Sequence, residues 1–155
     1  YGYSGLGELF VFVFFGLVAT VGSTYVQDEE VTALAVGASI PVGLLAVALL
    51  VTNNLRDLPK DALVGKNTLA VRMGDKPTRV MYVLCIVMSL LCLPYLSLLR
   101  PAVLIALLSV LLAVKPIRLV ARGATGQDLV AVLGATGKLQ MLFGVLLSVG
   151  LAIGI

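Results

Sequence analysis

Most of the side chains in this chain that could do chemistry fall in one short run. It reads Asn53-Asn54-Leu55-Arg56-Asp57-Leu58-Pro59-Lys60-Asp61, then Gly65-Lys66-Asn67-Thr68 and Arg72. Asn53, Asp57 and Asp61 stand at i, i+4 and i+8, a spacing that lines three oxygen-bearing side chains along one helix face. Pro59 is expected to kink or end that helix near Leu58, which still leaves Asp57 and Asp61 about one turn apart. Hard oxygen donors so placed suit Mg²⁺, which takes one or two carboxylates and completes its shell with water and substrate phosphate.

Local charge narrows that reading. Arg56 and Lys60 cancel Asp57 and Asp61, so the segment 53–61 is net neutral and a poor metal trap by itself. It becomes sensible if the metal is held together with a diphosphate, Lys66 and Arg72 helping to neutralise the phosphates. Further carboxylates should then come from elsewhere, and the chain has few: Glu8, Asp28, Glu29, Glu30, Asp75 and Asp128. The run looks like half of a site. The same residues also suit a plain solvated loop between membrane helices, with charges that only set orientation. Gly65-Lys66 and Gly137-Lys138 are not phosphate-binding P-loops, because the glycine required five residues earlier is Lys60 or Val132.

The elements that must position this run are membrane helices. The chain has 155 residues, of which 60% are hydrophobic and only 12% charged, where soluble domains carry about 25% charged. A soluble fold of this size cannot hide that much apolar side chain. There is no histidine, which removes histidine metal sites and general bases. Two cysteines cannot build a disulfide framework or a four-ligand zinc site. No basic run with interleaved aromatics marks a nucleic-acid partner. The chain opens on Tyr1 without a signal-peptide pattern, and is expected to be a piece of a longer polypeptide.

Charge-free intervals draw the topology. Leu9 to Gln27 holds 19 uncharged residues, Val31 to Leu55 holds 25 and Val80 to Leu99 holds 20, each near the ~20 needed to cross roughly 30 Å of hydrocarbon. Pro101 to Val114 holds 14, extended to about Leu119 if Lys115 and Arg118 snorkel, and Leu139 to Ile155 holds 17, with Lys138 at its cytosolic end. Five spans are expected, near 9–26, 32–54, 78–98, 101–119 and 135–155. With five crossings, the loops 54–79 and 115–138 share one side and hold 10 of the 11 basic residues. The positive-inside rule puts that side, and the N-terminus, in the cytosol and the C-terminus outside. Asp28, Glu29 and Glu30 then lie across the membrane from the aspartates at 57 and 61.

Tyr25, Tyr82 and Tyr95 fall near span ends, as interface anchors do. Gly150 and Gly154 form a small-xxx-small pair, and Gly16, Thr20, Gly37 and Gly43 could serve similar close packing. Cys85 and Cys92 share a helix face as packing residues. Phe10, Phe12, Phe14 and Phe15 read as lipid-facing or packing side chains.

The run 53–61, followed by Gly65-Lys66-Asn67-Thr68-Leu69 and Val71-Arg72-Met73-Gly74, resembles the second aspartate-rich motif of the UbiA-type intramembrane prenyltransferases. Within that superfamily it is most similar to the 1,4-dihydroxy-2-naphthoate polyprenyltransferases of menaquinone biosynthesis, as are Gly5-Leu6-Gly7-Glu8 and Val13-Phe14-Phe15-Gly16. The likeness covers essentially the whole chain.

The resemblance implies an all-α, multi-pass transmembrane bundle of nine helices, of which the five here would be the last five. It implies that Asp57 and Asp61 are catalytic and bind Mg²⁺, with Asn53 in place of a first aspartate. Asn54, Arg56, Lys60, Lys66, Asn67 and Arg72 would meet the substrate and its diphosphate. The reaction implied joins a polyprenyl diphosphate to 1,4-dihydroxy-2-naphthoate, with loss of the ring carboxylate, inside the cytoplasmic membrane. Four preceding helices with the first aspartate-rich motif are expected as partners, since this chain supplies half of the active site. Other UbiA-type enzymes, acting on 4-hydroxybenzoate or in haem and chlorophyll synthesis, are the nearer rivals. A transport subunit is the more distant one, disfavoured because no span carries an ionisable group near mid-membrane.

Overall fold

The structure, a computed structural model, describes residues 5–153. Tyr1, where the chain opens, and Gly154 of the small-residue pair lie outside the described residues. The described residues are mostly helical, with no strand among them. Five helices are long and apolar enough to cross a membrane: α1 (Gly7–Asp28), α2 (Ala33–Leu63), α4 (Asp75–Ser97), α5 (Pro101–Ala121) and α6 (Gly126–Ile153). A short α3 (Leu69–Met73) lies between α2 and α4. The chain is an integral membrane protein, an all-α multi-pass bundle.

The helix α2 is the centre. Half of its most apolar stretch is buried, against 6% for α1. It packs on α1, α4 and α6, while α5 packs between α4 and α6, so α2, α4, α5 and α6 close a ring and α1 lies against α2. Lipid offers no hydrophobic drive between helices, so close backbone approach matters. A Cβ added to Gly16 would stand 2.7 Å from Gly43 Cα, and one on Gly150 would stand 2.6 Å from the Ala102 carbonyl oxygen. These glycines, with Gly37 under Leu96, are the close-packing positions. Thr20 instead lends its carbonyl to the Thr24 hydroxyl at 3.0 Å. Phe12 lies over Gly43, while Phe14 and Phe15 are exposed. Cys85 is buried, Cys92 is half-buried and both are free thiols.

Two local expectations are corrected, and the last helix is longer than its expected span. The helix carrying Asn53 and Asp61 runs through Pro59 to Leu63. A proline there removes only its own N–H bond to the Leu55 carbonyl, and membrane helices tolerate that loss where neighbours hold the axis. The last helix begins at Gly126, ahead of the span expected from near 135; its 28 residues measure about 42 Å, so its first turns project beyond roughly 30 Å of hydrocarbon. Tyr82 is no interface anchor: it is fully buried, and its hydroxyl shares a 2.7 Å hydrogen bond with Thr136 Oγ1 on α6. Tyr25 and Tyr95 are exposed.

Within α1, Phe12–Val18 is wound as a π-helix, and Pro101–Ser109 opens α5 as a 3₁₀ segment. The helix α2 has 31 residues, about 46 Å at 1.5 Å per residue, which exceeds roughly 30 Å of hydrocarbon. Its last turns therefore reach the water boundary, and they carry the polar run.

Candidate functional site

Asn53, Asp57 and Asp61 occupy successive turns at the end of α2. Arg56 binds the first two together. Its Nε donates to Asp57 Oδ1 at 2.8 Å and its Nη2 to Asp57 Oδ2 at 2.7 Å, while Nη2 also donates to Asn53 Oδ1 at 2.9 Å. This two-pronged fit is the geometry in which guanidinium and carboxylate pair most strongly.

Asp61 is buried and takes a different cation. The helix ends in a Schellman turn: the Lys66 N–H donates to the Asp61 carbonyl at 2.9 Å, and the Gly65 N–H to the Ala62 carbonyl at 3.4 Å. Gly65 sits at φ 71, the left-handed conformation such an ending needs. The turn folds Lys66 back over the helix, and its Nζ donates to Asp61 Oδ2 at 2.9 Å. Thr68 then caps α3 by accepting the Val71 N–H at 3.3 Å.

The remaining predicted residues divide. Lys60, Asn67 and Arg72 are exposed, and Lys60 makes no ion pair among the described residues. Arg72 lies against Gly5, where an added Cβ would be 3.1 Å from its Nε. Asn54 turns away from the aspartate row, and its Nδ2 donates to Glu8 Oε1 at 2.9 Å.

Glu8 is the residue that reasoning from spacing left out of the site. It is buried at the start of α1, with Oε2 lacking any partner among the described residues. Leaving such a group unpaired costs about 1–3 kcal/mol, and more when charged. Its signal in the sequence was a single acid entering an apolar span. Its partner stands 46 residues away, out of reach of any helical spacing. Glu8, Asn53, Asn54, Lys66, Thr68 and Gly5 line one cavity of about 200 Å³.

Among the described residues no three His, Cys, Asp or Glu side chains group closely enough to hold a metal ion. The donor set nevertheless fits a hard cation in kind: two carboxylates and an amide oxygen on one helix face, as many as Mg²⁺ commonly takes from protein.

These features define a polytopic helical membrane protein with a charged site at the end of its central helix. The UbiA prenyltransferase family model matches residues 1–143, and the chain belongs to that family. It is 38% identical over 99% of its length to the 1,4-dihydroxy-2-naphthoate octaprenyltransferase of Mycobacterium tuberculosis, covering 53% of that protein. The Mycobacterium leprae protein of the same name is 38% identical over 94% of the chain, with 49% of that protein covered. The Haemophilus influenzae one is 37% identical over 99%, with 51% covered. The chain thus spans about half the length of the curated relatives it matches. No solved structure matches the chain.

Proposed function

We propose that this chain carries the diphosphate-side half of an intramembrane enzyme of the cytoplasmic membrane that transfers a polyprenyl group to 1,4-dihydroxy-2-naphthoate, releasing diphosphate and carbon dioxide and leaving the quinol form of demethylmenaquinone. The observation that carries the reading is the cation-laced row Asn53–Asp57–Asp61 at the mouth of α2. Similarity to naphthoate octaprenyltransferases along nearly the whole chain supports the acceptor. Helices before this segment would supply the opposing aspartate-rich motif.

In this reading Asp57, Asp61 and Asn53 would hold Mg²⁺, which would supply charge neutralisation for a leaving diphosphate. Arg56 and Lys66 already stand on the carboxylates, and with Lys60 and Arg72 they form a positive rim that a diphosphate would meet. Asn67 would contribute a polar contact beside that rim, and Asn54 would do so from the adjoining cavity, where it is bonded to Glu8. With a metal on the Asn53, Asp57 and Asp61 oxygens, Arg56 and Lys66 would turn off the carboxylates and towards the diphosphate, whose departing charge they would stabilise. The apolar bundle keeps water from the reactive allylic carbon. The basic loops 54–79 and 115–138 face the cytosol, where both substrates' charged ends are found.

Acceptor competition tests this. Membranes carrying the full-length polypeptide receive polyprenyl diphosphate with 1,4-dihydroxy-2-naphthoate or 4-hydroxybenzoate, and products are read by mass spectrometry. Prenylated naphthoquinol with no prenylated benzoate is the expected result. Preference for the benzoate would overturn the acceptor assignment.

A further inference from the structure

We propose that Glu8 anchors the aromatic acceptor, its Oε2 taking a hydrogen bond from a ring hydroxyl. The inference rests on the reading that the acceptor is a hydroxyarene. Glu8 is 6% exposed, lines the cavity with Asn53, Asn54, Lys66 and Thr68, and has Oε1 already committed to the Asn54 amide. Among the described residues Oε2 has no hydrogen-bond partner, so it is the oxygen with unused accepting capacity. A carboxylate oxygen accepts, so its ligand must bring a donor or a cation.

Charge decides between the ligands. A phosphate oxygen would face like charge at Glu8. A divalent cation would want more anionic oxygens, yet neither Asp57 nor Asp61 lines this cavity, whereas the ammonium-bearing Lys66 does. A ring with a hydroxyl donor suits Glu8, and the nearby Lys66 ammonium, held on Asp61, tolerates an anionic substituent on that ring. Size agrees: about 200 Å³ is below the ~300–1,000 Å³ of pockets that enclose drug-sized ligands. It can take the polar edge of a ring system, not a polyprenyl tail.

The test uses the full-length polypeptide in membranes with polyprenyl diphosphate, 1,4-dihydroxy-2-naphthoate and its two mono-methyl ethers. A methoxy group keeps the ring electron-rich but removes the donor. Wild type should reject at least one ether by about tenfold or more in kcat/KM, as expected when a site's acceptor loses its donor. Glu8→Gln and Glu8→Ala should abolish that discrimination and raise the acceptor KM, leaving the KM for polyprenyl diphosphate unchanged. Asn54→Ala, which frees Oε1, should weaken the discrimination and serves if the Glu8 variants melt early in detergent. Equal use of all three acceptors by wild type would overturn the role, as would discrimination retained in the variants. So would variants that shift only the diphosphate KM or the Mg²⁺ requirement. Absence of prenylated product from any hydroxyarene in wild type would overturn the functional reading itself, whereas product without discrimination overturns only Glu8.

Discussion

Lys66 is tied to Asp61 at both ends, by its backbone N–H to the aspartate carbonyl at 2.9 Å and by its ammonium to the carboxylate at 2.9 Å. The backbone bond belongs to the helix-ending turn, so the fold itself delivers the lysine to the carboxylate. The Asp61 side chain is 10% exposed and that of Lys66 30%, so the pair is screened less than a surface ion pair.

Replacing Lys66 with Met should therefore leave a buried carboxylate without its cation. We expect a stability loss of about 1–3 kcal/mol and a fall of roughly 10–100-fold in kcat/KM for polyprenyl diphosphate. Thermal melting in detergent and initial rates read the two effects. Unchanged rates would remove Lys66 from the site.

Gly65→Ala isolates the backbone contribution. No atom lies within 4 Å of where the Cβ would stand, so only the φ of +71 opposes the change. The cost should be about 1 kcal/mol, and the displaced turn should weaken diphosphate binding more than acceptor binding. Equal KM values for the variant and wild type would show that Lys66 reaches Asp61 without the turn.

Tyr82→Phe removes a hydroxyl buried between α4 and α6. Thr136 keeps its bond to the Val132 carbonyl at 2.8 Å, so no donor is orphaned and the loss should be about 1 kcal/mol. Catalytic constants should not move, because the hydroxyl bonds Thr136 on α6 and no side chain of the aspartate row. A change in kcat without a change in melting would contradict this placement.

Gly150→Val should destabilise more than a surface change, because its Cβ would press on the Ala102 backbone at 2.6 Å. Overpacking of this kind costs about 1–3 kcal/mol. Melting temperature is the readout, and a variant as stable as wild type would mean that α5 and α6 can separate freely.

The bundle was legible in the sequence because lipid leaves few ways to hide apolar side chains, and charge-free intervals mark where helices cross. The aspartate row was legible because Asn53, Asp57 and Asp61 repeat at helical spacing on a single element. Other features depended on packing that spacing does not encode. Pro59 reads as a break, yet the helix continues through it to Leu63. Tyr82 reads as a boundary residue, yet its hydroxyl finds Thr136 inside the bundle. Glu8 reads as an isolated acid, and only the crossing of α1 on α2 brings it to Asn54.

The central claim is that the carboxylates at the end of α2 serve metal-assisted prenyl transfer. The most direct test supplies membranes carrying the full-length polypeptide with polyprenyl diphosphate and 1,4-dihydroxy-2-naphthoate, with Mg²⁺ or with chelator, beside an Asp61→Asn variant. Prenylated product should appear by mass spectrometry only with Mg²⁺, and should be lost in the variant at unchanged expression and melting temperature. Product that persists with chelator, or at wild-type rate in the variant, would contradict it.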